Sequence, residues 1–265
     1  MASHETILVF DSGLGGLTVF REIAAARPDA RFIYIADDEA FPYGDLPEVA
    51  LIDRVNKVIG EAIVRSSPDL IVIACNTAST IALSHLRARF KTPFVGTVPA
   101  IKPACAQSRT KRVSVLGTRA TVSREYTHGL IREFAQGCDV TLVGAGKLAA
   151  LAEAELNGTP GTDEAVVAEI ASCFVEKDGA RTDTVALACT HYPLLLDRMR
   201  RLAPWPVTWL DPAPAIARRV IDLIGPPKAR NRPVAAQFTF TSGRAPSPPL
   251  ARALAEFGLV ATENA

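Results

Sequence analysis

The sequence predicts an α/β fold of two related domains, each a mostly parallel sheet flanked by helices, with the active site in the cleft between them. Three observations point there. Short aliphatic runs alternate with helix-length segments along the chain. Hydrophobic residues make up 48% of the chain and aromatics only 6%, so the core is built from Ala, Val, Ile and Leu, as buried parallel strands require. A length of 265 residues suits two compact halves better than one small core.

The expected strands are the strand-like apolar runs at residues 7–10, 32–35, 70–74, 113–116, 140–143 and 185–188. Helical length and composition mark 17–26, 47–65, 79–90, 122–135 and 162–176. Strand and helix therefore alternate, which is the pattern of βαβ units. Pro-rich stretches at 225–233 and 244–249 read as exposed loops.

The chain also repeats itself. IVIACNT around Cys75 resembles VALACTH around Cys189, and ILVFDSGLGGLTV has a counterpart in VSVLGTRATV. Each pair passes from a strand through a polar or Gly-rich turn into a helix, so the halves read as tandem relatives. The expected division is 1–98 with 211–265 as the first domain, carrying Asp11 and Cys75. Residues 99–210 form the second, carrying Glu153, Cys189 and His191. Ligands of open α/β sheets bind beyond the carboxyl ends of the strands, which brings the two cysteines to one cleft.

Composition narrows the function. Lys plus Arg number 29 against 28 Asp plus Glu, without the basic stripe of a nucleic-acid binder. No leader-like start and no run of about 18 apolar residues is visible, so neither nucleic acid nor membrane is an expected partner and a soluble cytoplasmic protein is expected. The five cysteines never occur as C-x-x-C, which argues against a disulfide framework and a zinc site. Cys105, Cys138 and Cys173 read as small buried hydrophobes.

Cys75 and Cys189 read differently. Both end a buried strand, and both are followed by amide, hydroxyl or imidazole groups, in Cys75-Asn76-Thr77 and Cys189-Thr190-His191. Backbone N–H groups at such a turn hold anions, and the helix-terminal field is expected to lower a thiol pKa. DSGLGG lacks the spacing of a dinucleotide loop and reads instead as a turn exposing Asp11 and Ser12. His191 is expected to serve the neighbouring thiol. His4, His85 and His128 receive no role, and the acidic run Asp37, Asp38 and Glu39 reads as solvated.

With those residues in hand, the chain closely resembles the bacterial glutamate racemases, through VFDSGLGGLTV, FPYG, ACNTAST, GTVPAIKPA and ACTHYPLL taken together. The resemblance covers nearly the whole chain. It implies cofactor-independent interconversion of L- and D-glutamate for peptidoglycan, with Cys75 and Cys189 as the two bases. It implies that Asp11 assists Cys75, that His191 and Glu153 assist Cys189, and that Ser12, Tyr43, Gly44, Asn76, Thr77 and Thr190 bind the amino acid, with Thr118 and Thr121 as further candidates. The resemblance also allows a homodimer. The segment KLAALAEAE lacks the prolines that many relatives carry before this glutamate, which leaves Glu155 as a rival to Glu153.

Rival readings are a two-cysteine racemase acting on aspartate or a hydantoin, a one-cysteine decarboxylase or isomerase, and a non-catalytic module holding a partner such as DNA gyrase. The presence of both ACNT and ACTH disfavours the second, and the balanced charge offers the third no support.

Overall fold

The computed structural model describes residues 4–228 and 236–262. The chain begins with β1 (Thr6–Asp11), α1 (Leu17–Ala26), β2 (Arg31–Ala36), α2 (Glu48–Ser66), β3 (Leu70–Ile73), α3 (Asn76–Arg89) and β4 (Phe94–Gly96). Next come α4 (Ile101–Gln107), β5 (Arg112–Gly117), α5 (Arg119–Ser123), α6 (Glu125–Phe134), β6 (Asp139–Gly144), α7 (Leu148–Leu156) and α8 (Asp163–Ile170). A two-stranded hairpin of β7 (Glu176–Lys177) and β8 (Ala180–Arg181) precedes β9 (Thr184–Ala188), α9 (Leu196–Leu202) and β10 (Thr208–Leu210). The remaining elements are α10 (Ala213–Ile224), β11 (Ala236–Phe240), α11 (Pro248–Glu256) and β12 (Leu259–Ala261).

Two sheets result, in the orders β12-β11-β2-β1-β3-β4 and β10-β9-β5-β6. Every pairing within them is parallel. The fold is therefore α/β, with two mostly parallel sheets flanked by helices. Within each half the first four strands follow one plan, second, first, third, fourth: β2-β1-β3-β4 and β6-β5-β9-β10. The sequence repeat is thus a repeat of topology, and each cysteine follows the third strand of its own sheet.

The central strands are apolar without alternation because both faces are covered. All six residues of β1 and all five of β9 are buried. α10 buries Ala213, Ile216, Ala217 and Val220, a helical i, i+3, i+4, i+7 stripe. That stripe joins Leu17, Phe20 and Ile23 of α1 in one core under the first sheet. Each of the larger side chains, Ile216, Val220, Leu17, Phe20 and Ile23, contributes roughly 1.5–3 kcal/mol by leaving water, which fastens the segment after β10 to the first sheet.

Several elements differ from expectation. The helix expected over 122–135 breaks at Arg124, whose backbone is extended (φ −74°, ψ 139°) and whose side chain reaches Glu48 of α2. The helix expected over 162–176 ends at Ile170 and tightens into a 3-10 turn through Cys173. Strands β4, β10 and β12 are only three residues long, and β11 interleaves Gln237 and Thr239 with apolar residues, so none stands out as an aliphatic run. Of the expected loops, 244–247 is irregular but Pro248 opens α11, and residues 229–233 lie outside the described residues. Among the described residues no helix is long and apolar enough to cross a membrane.

Candidate active site

The carboxyl ends of the first and third strands of both sheets meet at one cavity. Asp11 is the last residue of β1, Cys75 caps α3 just beyond β3, and Cys189 follows β9 directly. The cavity is small and is lined by Ser12, Tyr43, Gly44, Cys75, Asn76, Thr77 and Thr118. Phe41, Pro42, Ala149, Cys189, Thr190 and His191 complete it. Both thiols are thus on its wall, and each is nearly buried, 5% exposed for Cys75 and 6% for Cys189. A roomier cleft lies at the two chain crossings, lined by residues of 96–103 and 210–219 with Leu130 and Phe134 of α6, but holds no cysteine.

The DSGLGG turn is built for close approach rather than exposure. Asp11 is wholly buried and Ser12 is 4% exposed, against the expectation of a turn presenting them to solvent. A Cβ on Gly13 would stand 2.1 Å from Glu153 Oε1, and one on Gly15 would stand 2.4 Å from His191 Nδ1. Those glycines let the second half close over the first.

On the first side, Ser12 Oγ lies 3.5 Å from Cys75 Sγ. Burial, joined by the negative charge of Asp11, pushes the Cys75 thiol up to about 12. The sequence expectation of a lowered pKa is therefore overturned for Cys75. It does stand at the start of α3, and the Ser12 hydroxyl and Ala78 N–H act to lower its pKa, but lost hydration outweighs them.

On the second side, Cys189 Sγ lies 3.8 Å from His191 Nδ1, and His191 Nε2 lies 3.0 Å from Glu153 Oε1. The same carboxylate oxygen accepts the Leu14 N–H at 2.9 Å. Burial opposes protonation of His191, but contacts with Cys189 and Glu153 and the charge of Asp11 outweigh it and raise its pKa well above the ordinary imidazole value. α7 aims Glu153 inward, whereas Glu155 pairs with Arg198 at 3.1 Å. Nothing in the segment KLAALAEAE distinguishes the two glutamates except this helical phase.

Asp11 joins the two sides. One carboxylate oxygen accepts the Gly13 N–H at 2.9 Å and the other the Thr190 hydroxyl at 3.0 Å. Burial raises its pKa, while His191 and those donors work in the other direction. Asp11 caps no helix, since Gly16 precedes α1.

Asn76 is the polar group on this wall whose side chain has no hydrogen-bond partner. It is 2% exposed, and both its amide nitrogen and its amide oxygen are buried without a hydrogen-bond partner. Such a pair costs stability unless a ligand satisfies it. Thr77, Thr118 and Thr121 form a triangle of hydroxyls, with Thr118 to Thr121 at 2.9 Å and Thr77 to each at 3.4 Å. Gly44 lies on the wall beside Thr118, and a Cβ there would meet nothing closer than 3.7 Å.

The acidic run after β2 is not merely solvated. Asp37 is wholly buried and bonded to Tyr43, Arg54 and Thr241, and Asp38 bonds Ser242 and Arg244. Sequence reading missed this cluster because its partners lie up to 206 residues away. It also missed the Phe41 ring, 5.5 Å from the His191 ring, for which FPYG itself was the available signal.

Residues 18–220 match the family model described as Asp/Glu/Hydantoin racemase. A glutamate racemase of Brucella canis is 52% identical over 262 residues, which is 98% of this chain and 94% of that protein. Among solved structures, the Escherichia coli glutamate racemase in complex with L-glutamate and the activator UDP-MurNAc-Ala superposes with a TM-score of 0.89 at 37% identity, covering 98% of this chain and 97% of that one. A glutamate racemase isoform of Bacillus anthracis superposes with a TM-score of 0.83 at 25% identity, covering 99% and 98%.

Proposed function

The chain belongs to the Asp/Glu/hydantoin racemase family, and from that premise we propose that it interconverts L- and D-glutamate by passing the α-proton between Cys75 and Cys189. The reaction is an amino-acid isomerisation that supplies D-glutamate for peptidoglycan, as in the glutamate racemases the chain resembles. The observation that carries the mechanism is the shared cavity: two thiols, each just beyond the third strand of its own sheet, line one space.

Inversion needs two groups on opposite faces. A single base that returned its proton to the same face would regenerate the starting enantiomer. One thiolate removes the α-proton as the other thiol delivers one, and preorganised donors stabilise the carbanion-like transition state. Asp11 assists Cys75, and His191 with Glu153 assists Cys189. Ser12, Tyr43, Gly44, Asn76, Thr77 and Thr190 hold the substrate, Asn76 by satisfying its two unpartnered atoms. The substrate ammonium brings positive charge beside a thiol that burial holds protonated, which lowers the thiol pKa as binding occurs.

We carry the two-domain division, 1–98 with 211–265 and 99–210, as part of this reading. The sheet membership of the strands and the packing of α10 on α1 support it. A cytoplasmic location and a homodimer complete it, the first because peptidoglycan precursors are assembled there.

The test is enantiomer-resolved assay of the purified protein with L-glutamate, D-glutamate, aspartate and a hydantoin. Glutamate is expected to reach a racemic mixture from either side. Turnover of aspartate or the hydantoin with glutamate left unchanged would overturn the substrate assignment.

A further inference from the structure

The acidic triplet after β2 lies outside the chemistry just described, yet it is tied to the cavity wall. Asp37 donates its backbone N–H to the Asp11 carbonyl at 2.9 Å, so it sits beside the end of β1. Its carboxylate accepts bonds from Arg54 Nε at 2.9 Å, from the Thr241 hydroxyl at 2.6 Å and from the Tyr43 hydroxyl. Arg54 Nη2 completes the fork and also reaches Glu39 at 2.8 Å. One buried carboxylate thus gathers α2, the segment after β11 and the wall residue Tyr43.

The Tyr43 ring is 2% exposed and leans on Phe10 of β1. Its hydroxyl is committed to Asp37, so it meets the cavity through its ring and backbone. The adjoining Phe41 faces His191, so a shift of this short wall is felt on both sides of the site.

We propose that Asp37 is a positioning residue for substrate binding: held by Arg54 and Thr241, it fixes the Tyr43 hydroxyl and thereby the Phe41 to Gly44 wall of the cavity. This rests on the glutamate racemase reading and deepens it. Asp37 touches neither thiol in this arrangement, so its loss acts mainly on binding and less on proton transfer. Arg54 keeps the carboxylate ionised, and with it the acceptor that Tyr43 needs: burial works to raise the Asp37 pKa, but the bonds from Arg54, Thr241 and Tyr43 bring it below the ordinary value.

The experiment is a kinetic double-mutant cycle on the full chain with Asp37→Asn, Tyr43→Phe and the double variant, and Arg54→Lys as a second route to the same pair. Asp37→Asn is expected to raise KM for glutamate about tenfold while kcat falls by less than about threefold. Tyr43→Phe is expected to raise KM by a smaller factor, and the double variant to be no worse than Asp37→Asn alone, because the two residues act through one bond. Arg54→Lys, which keeps the charge and loses the fork, is expected to fall between wild type and Asp37→Asn. Should Asp37→Asn not fold, the Arg54→Lys and Tyr43→Phe pair decides on the same criterion. Unchanged KM with only a lower melting temperature, or fully additive KM effects, would overturn the proposal. If wild type itself left glutamate unracemised, the functional reading would fail instead, and the two failures are distinguishable.

Discussion

The Asp11 carboxylate accepts a hydrogen bond from the Thr190 hydroxyl across 3.0 Å, joining the end of β1 to the turn just beyond β9, 179 positions away and next to the other sheet. Thr190→Val keeps the shape and removes the donor, leaving a buried carboxylate oxygen unpaired. The expected cost is about 1–3 kcal/mol of stability, read as a lower melting temperature, together with reduced kcat/KM for glutamate. Thr190→Ser is expected to recover both, and equal behaviour of the Val and Ser variants would refute the role of this bond.

Asp11 also raises the Cys75 pKa through its charge, second only to burial. Asp11→Asn removes that charge and is expected to lower the Cys75 pKa from about 12. Mass-spectrometric alkylation of Cys75 at fixed pH, before substrate is added, is then expected to be faster than in wild type even as racemisation slows. Slower alkylation would show that the carboxylate promotes thiolate formation instead.

Glu153 holds His191, and its loss is expected to lower the His191 pKa, since the bond to Glu153 acts to raise it. In Glu153→Gln the imidazole resonance followed by NMR is expected to titrate at lower pH than in wild type, and kcat to fall by about 10- to 100-fold. Glu155→Gln breaks only the pairing with Arg198 and is expected to retain activity. The reverse ranking of the two variants would reassign the acidic partner of Cys189.

Away from the site, Asp29 is held to about 2 from an ordinary 3.8, first by its hydrogen bond from the buried Arg27. A depressed carboxylate pKa contributes stability that is fully present above the ordinary value and is lost as pH falls through the depressed one. Asp29→Asn is expected to cost about 2 kcal/mol at neutral pH, less than complete loss of a buried partner, because Glu5 still holds Arg27. Denaturant midpoints measured against pH are expected to converge with wild type between about pH 4 and pH 2; a constant gap would contradict the linkage.

Much of this arrangement was legible from local pattern. Central strands such as β1 and β3 announce themselves because burial on both faces demands unbroken aliphatic runs, and the twin contexts of Cys75 and Cys189 revealed a repeat that the strand order repeats. What stayed hidden depends on long-range contacts. Cys75 at the start of α3 reads as an activated thiol until its burial is known, and Asp37 reads as a solvated charge until Arg54, Tyr43 and Thr241 are brought around it. The break at Arg124 is equally invisible, because its partner Glu48 belongs to the other half.

The central claim is that two sulfur atoms flank one carbon, and hydrogen exchange at that carbon tests it most directly. In deuterium oxide, without added cofactor or metal, wild type is expected to give D-glutamate from L-glutamate with one solvent deuteron at the α-carbon, and the mirror result from D-glutamate. Cys75→Ala and Cys189→Ala are each expected to reduce inversion by at least about 10³-fold. Inversion that retains the original hydrogen in full, or undiminished inversion in either variant, would contradict a transfer shared between the two thiols.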